Sequence, residues 1–172
     1  YHYFITLTDD FSRYRYGYGY VLLMRHKFIS FEMFKPFLNE VQTQLGKTFN
    51  APWSDRAGEY LSQEFNDHLT NHRIISQLTP PGTPQWNGVS ERRNRTLLDM
   101  VRSMMSQTDL PSSFWGYVLE IATFTLNRVP SKAIEKWPYE IWTRKRPSLS
   151  FLKIWGCEAY VRRQVSDKLG PK

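Results

Sequence analysis

"TPQWNGVSERRNRTLLDM", residues 83–100, passes from loop chemistry to helix chemistry within a few positions. Just upstream, "PPGTPQWNG" at 80–88 combines adjacent prolines, Gly82 and an Asn87–Gly88 pair, which excludes regular structure and reads as a flexible loop. From about Val89 to roughly Gln107 the spacing turns helical, with Leu97, Leu98, Val101, Met104 and Met105 as its apolar stripe. At ~100° per residue Glu91 falls in the first turn, with Arg95 about 40° to one side, Arg102 about 20° to the same side and Leu98 about 20° to the other. Arg92, Arg93, Arg95 and Arg102 carry more positive charge than one glutamate can pair. Guanidinium groups left over beside a carboxylate suit a passing phosphate chain, with the carboxylate holding a divalent cation against it. Glu91 also has an ordinary reading, as a first-turn acid favoured by the helix dipole.

The rest of the chain supports a polyanionic partner. The 172 residues carry a net charge of +7, unevenly placed: residues 1–91 hold eight Lys/Arg against nine Asp/Glu, and residues 92–172 hold fifteen against seven. Phosphates neutralised by such a half release counterions and give sequence-independent affinity; a basic face without a ligand is the plainer alternative. With 41% hydrophobic and 23% charged residues the composition is globular. The longest apolar run, "YVLEIATFTL" at 117–126, contains a glutamate and is about half the ~20 residues a membrane crossing needs, so no membrane partner is expected. The single Cys157 excludes an internal disulfide and fits an intracellular setting, nucleus or cytoplasm. His2, His26, His68 and His72 lack zinc-ligand spacing.

Working outward, "YHYFITLT" alternates and predicts a strand, "DDFSRY" a turn and "YRYGYGYVLLM" a second, hairpin-paired strand. Phe28, Phe31, Phe34, Leu38, Val41 and Leu45 recur at helical steps, with Pro36 inside the helix expected to kink it at a cost of ~3 kcal/mol. "KTFNAPW" and "RIISQLT" predict short strands, and "SQEFNDHLTNH" a short helix capped by Ser62. A further helix lies between Pro111 and Pro130, a short one around Tyr139 to Trp142, and a strand near 154–163. This order predicts an α/β fold, a mixed central sheet with helices on both faces, with a core over 1–110 and a helical and strand extension over 111–172 packed on it.

Two acids stand out. Asp55 follows a strand and opens "SDRAGEY", while Glu91 begins a helix, and such positions can meet at one edge of an α/β sheet. Asp55 could equally cap a turn. "SDRAGEY", thirty-five intervening residues and "TPPGTPQWNGVSERRNRTL", together with "TDDFSRY", "NRVPSK", "PYEIW" and "FLKIWGCEAYV", resemble the integrase catalytic core of copia-type (pseudoviral) long-terminal-repeat retrotransposon Pol polyproteins.

The resemblance implies a ribonuclease H-like fold and a polynucleotidyl transferase that performs 3′-end processing and strand transfer with Mg²⁺ or Mn²⁺. Asp55 and Glu91 then match the second and third metal-holding catalytic acids, Gly82, Gln85, Asn87 and Gly88 the flexible loop beside them, and Arg92, Arg95 and Arg102 DNA contacts, with Gln85 and Asn87 also facing DNA. The partners implied are retroelement ends and target DNA, with a homo-oligomer open because relatives work as multimers. The family's first aspartate lies upstream of the matched segment. The expectation is therefore a chain truncated at its N-terminus, with weakened metal binding and negligible turnover; Asp9 and Asp10 read as turn residues. Ala57 in place of the family's glycine, the repetitive "RYRYGYGY", Pro36 and Pro52 suggest a relic copy. The alternative is a non-catalytic, basic nucleic-acid-binding fragment. Glycoside hydrolysis by the two acids does not call for an arginine-studded helix, and the loop and helix string favours integrase over ribonuclease H.

Overall fold

The computed structural model describes residues 1–8, 18–26, 30–45, 53–54, 63–71, 77–78, 88–130, 136–150 and 152–160. In chain order the elements are β1 (Tyr3–Thr8), β2 (Gly19–Met24), α1 (Ser30–Leu45), β3 (Trp53–Ser54), α2 (Gln63–Asn71), β4 (Gln77–Leu78), α3 (Gly88–Ser106), a 3₁₀ turn (Ser112–Phe114), α4 (Trp115–Leu126) and α5 (Pro138–Thr143).

β1 and β2 form an antiparallel pair running from Tyr3 opposite Met24 to Thr8 opposite Gly19. Both faces of this pair are covered. Leu7, Tyr18, Tyr20 and Leu22 pack against Phe34, Phe37, Leu38 and Val41 of α1, Leu69 of α2 and Trp142 of α5. Phe4, Val21 and Leu23 lie on the other face with Leu97 and Val101 of α3 and Val118, Leu119 and Ala122 of α4. A slip of one residue would exchange Tyr20 and Leu22 for Val21 and Leu23, moving each set into the wrong core, so the two helix layers hold the register that the tyrosine–glycine repeat leaves loose. Leu97 and Leu119 retain no exposed surface, and burying each contributes about 1.5–3 kcal/mol.

α1 runs unbroken across the exposed Pro36. The ~3 kcal/mol a mid-helix proline costs is outweighed by burying Phe34, Phe37, Leu38 and Val41 at about 1.5–3 kcal/mol each. The side chains of Phe28, Phe31 and Leu45, the cap expected at Ser62, and Ala57 and Pro52 lie outside the described residues.

β3 and β4 pair in parallel; β4 lies inside the strand expected over 73–79, and β3 overlaps the strand expected over 47–53 at Trp53 and runs on to Ser54. Among the described residues this pair shares no strand with β1–β2, so the expected mixed sheet is seen as an antiparallel pair between helices and a separate parallel pair.

The expected strand near 154–163 is corrected over its described part: residues 154–160 adopt neither strand nor helix. Gly156 takes φ +78°, a turn that breaks alternation, and Ile154 and Tyr160 are 84% and 93% exposed. What anchors the segment is Trp155, whose Nε1 donates to the carbonyl of Met104 at 2.8 Å at the end of α3.

Candidate nucleic-acid and metal site

α3 sorts its residues by face. Arg93, Leu97 and Val101 are buried, whereas Glu91, Arg92, Arg95, Asp99 and Arg102 are exposed. The expected outer face of Glu91, Arg95 and Arg102 therefore exists. Gly88, expected in the loop, is instead the first residue of the helix; a boundary one residue early is ordinary at a helix start, where the first amides need no intrahelical partner.

Glu91 has no hydrogen bond or ion pair among the described residues, although Arg95 stands one turn away. Arg102 is engaged with Asp99, its Nη1 2.8 Å from Oδ1, in a pair whose side chains are 72% and 62% exposed. That pair is too solvated to hold the guanidinium firmly, at about 0–1 kcal/mol. The Glu91 carboxylate is thus left open to a hard cation, for which carboxylate oxygens are suitable ligands. β3 ends at Ser54, immediately before Asp55, which bears out the strand expected there. Asp55 itself, Gly82, Gln85 and Asn87 lie outside the described residues, as do Asp9 and Asp10. Among the described residues no three His, Cys, Asp or Glu side chains gather as a metal site.

Arg93 corrects the count of available arginines. It lies about 200° around the helix from Glu91 and points inward, only 5% exposed. Its Nη2 donates to Asn127 Oδ1 at 2.7 Å, at the end of α4. The same carboxamide brackets Gly19 at the start of β2: Gly19 N donates to Oδ1 at 2.9 Å, and Asn127 Nδ2 donates to the Gly19 carbonyl at 2.7 Å. Asn127 thereby pairs with β2 as a neighbouring strand's backbone would. The guanidinium of Arg93 occupies the space a Cβ on Gly19 would need, so the glycine is required for room. Burial pushes the Arg93 pKa down to about 10, which still leaves it charged at neutral pH.

Next to Asn127, Arg128 lies over the Phe124 ring at 3.5 Å and the Tyr139 ring at 4.3 Å. Tyr139 N donates to the Asn127 carbonyl at 2.9 Å, tying α5 to the end of α4. Trp142 stacks on Tyr18 at 5.4 Å, and its Nε1 donates to Tyr20 Oη at 3.2 Å. The segments "NRVPSK" and "PYEIW" thus act over their described residues as fasteners. The residues alone signalled this only through the position of Arg93 on the wheel, because Asn127 is far away in sequence.

No family model matches the chain. Among curated relatives, the Pol polyprotein from transposon TNT 1-94 of Nicotiana tabacum is 39% identical over 173 residues, which is 99% of this chain and 13% of the relative. The Pol polyprotein from transposon RE2 of Arabidopsis thaliana is 30% identical, over 98% of this chain and 12% of the relative. The chain therefore spans a small part of the curated proteins it matches. Among solved structures, the simian T-cell lymphotropic virus intasome aligns with a TM-score of 0.65 at 20% identity, covering 94% of this chain and 54% of that one. The HTLV-2 integrase catalytic core domain in complex with magnesium aligns with a TM-score of 0.58 at 22% identity, over 80% and 81%. At these identities the structural likeness establishes the fold alone, that of the ribonuclease H-like integrase catalytic cores. The homologues of this chain are copia-type Pol polyproteins of plant transposons, and its structural neighbours are retroviral integrase catalytic cores.

Proposed function

We propose that the chain is the catalytic core of a retrotransposon integrase, acting on DNA ends and target DNA, with Asp55 and Glu91 as the acids that hold Mg²⁺ or Mn²⁺. The observation that carries this reading is the open carboxylate of Glu91, exposed in the first turn of α3 beside the exposed Arg92 and Arg95 and without an ion-pair partner among the described residues. The position of Asp55 directly after β3 and the homology to Pol polyproteins support it. The metal, when bound, would supply Lewis acidity to an in-line displacement at phosphorus. Arg92, Arg95 and Arg102, with Gln85 and Asn87 of the preceding loop, draw the phosphate chain across the acids. In that displacement a water or a DNA 3′-hydroxyl oxygen bonds to phosphorus as the old P–O bond breaks. Assembly as a homo-oligomer and an intracellular setting go with this reading.

A polypeptide of these 172 residues carries two of the three acids the resemblance implies, so weak metal binding and negligible turnover are expected of it in isolation. Calorimetric titration with Mn²⁺ tests the assignment. Binding should disappear in both Asp55→Asn and Glu91→Gln. Binding that survives both substitutions would sink it and leave a basic nucleic-acid-binding chain whose acids are structural.

A further inference from the structure

A second cluster of cations lies far along the chain from α3, where α5 ends. Arg144, Lys145 and Arg146 are consecutive and all exposed. Among the described residues none of the three is in an ion pair, in contrast to Lys35 and Arg102, which lie within 2.7 and 2.8 Å of carboxylates. The three are also held in place. Arg144 caps α5 in the left-handed region at φ 59°, its N–H bonded to the Glu140 carbonyl at 2.8 Å. Lys145 N donates to Thr143 Oγ1 at 3.2 Å, and the Arg146 guanidinium sits 5.5 Å above the Trp137 ring. A left-handed helix cap normally falls to glycine, and an arginine there carries strain that glycine would not. Strain tolerated to keep a charge at one place, beside two more unneutralised charges in a fixed turn, is what a phosphate-binding surface requires.

We infer that the Arg144–Lys145–Arg146 turn is a second contact for the phosphate backbone of nucleic acid, separate in sequence from the arginines of α3. The inference rests on the reading of the chain as a DNA-acting integrase core, and deepens it by naming where further DNA is gripped. It predicts sequence-independent, salt-sensitive binding from this turn, with guanidinium and ammonium groups meeting phosphate oxygens and no base read.

The test is fluorescence anisotropy of a labelled DNA duplex across a salt series, with EDTA present so that metal plays no part. Removing the three charges together, Arg144→Ser with Lys145→Ser and Arg146→Ser, should make the slope of log K against log salt shallower by about 2–3, at ~0.9 per phosphate contact. Affinity at low salt should fall at least about tenfold by the same relation. Arg144→Gly should raise the melting temperature while weakening binding. An unchanged slope overturns the inference, as does an equal loss when Arg25, Lys35 and Lys153 are changed to serine instead. Mn²⁺ titration of the triple variant should match the parent chain, so a failure of the two acids and a failure of this turn are read on different instruments.

Discussion

Two arginines two positions apart on α3 meet opposite surroundings. Arg93 is 5% exposed and donates to Asn127, with its guanidinium against Gly19, while Arg95 lies in solvent on the face of Glu91. The inner arginine ties the end of α4 to the start of β2, and a change there unseats both helix and strand. Among the described residues the outer one has no hydrogen bond or ion pair, which leaves it available to meet a phosphate. Charge alone does not say which arginine serves a ligand; the helical face does, because about 200° of rotation takes a side chain from water into the core.

The sharpest way to break the contrast is Asn127→Ala. It removes a hydrogen bond to a buried guanidinium, worth about 1.5–3 kcal/mol, and two to the Gly19 backbone at about 1 kcal/mol each. We expect a loss of about 3–5 kcal/mol in urea unfolding, and a loss under ~1 kcal/mol would show that Arg93 is no fastener. Gly19→Ala tests the same contact by crowding and should cost about 1–3 kcal/mol, since the new methyl meets the guanidinium.

Alkaline pH probes the far side of the sheet. Burial pushes the Tyr20 hydroxyl up to about 12 from its ordinary 10, and burial also raises Tyr18. The folded state therefore favours neutral tyrosine: its contribution is complete below pH 10 and is lost as pH rises from 10 through 12. The effect should be smaller than that of Asn127→Ala because Tyr20 is only half-buried, and Tyr20→Phe should flatten the decline in a thermal-melting series. At the bottom of the scale, Asp99→Asn breaks the exposed Arg102 pair and should shift stability by about 0–1 kcal/mol. A larger shift would make the outer face structural.

Much of this was legible before any coordinates. The helix over 88–106, its apolar stripe and the outward face of Glu91 followed from a 3.6-residue period, and the hairpin followed from alternation, because both depend on neighbours a few positions away. What could not be read was any contact made across the chain. Arg93 counts by sequence among the cations that Glu91 leaves unpaired, because its partner lies 34 residues away. The segment near 154–163 reads as a strand by its Ile154, Trp155, Tyr160 and Val161, yet a strand needs a partner, and Trp155 packs instead on the end of α3. Pro36 reads from propensity alone as a cost to α1, and only the fold shows the four side chains that the helix buries around it to offset that cost.

By itself, then, the order of residues determined the periods, the loop–helix string that points to the integrase family and the surplus of positive charge beyond residue 91, since all of these are local or additive properties of the chain. Only the tertiary structure decided which charges are available. It buried Arg93 on a glycine and an asparagine brought from elsewhere, and left Glu91, Arg95 and the turn at 144–146 in water. The physical reason is that a charge may be withdrawn from solvent only where the fold supplies its hydrogen-bond partners, and those partners come from distant parts of the sequence.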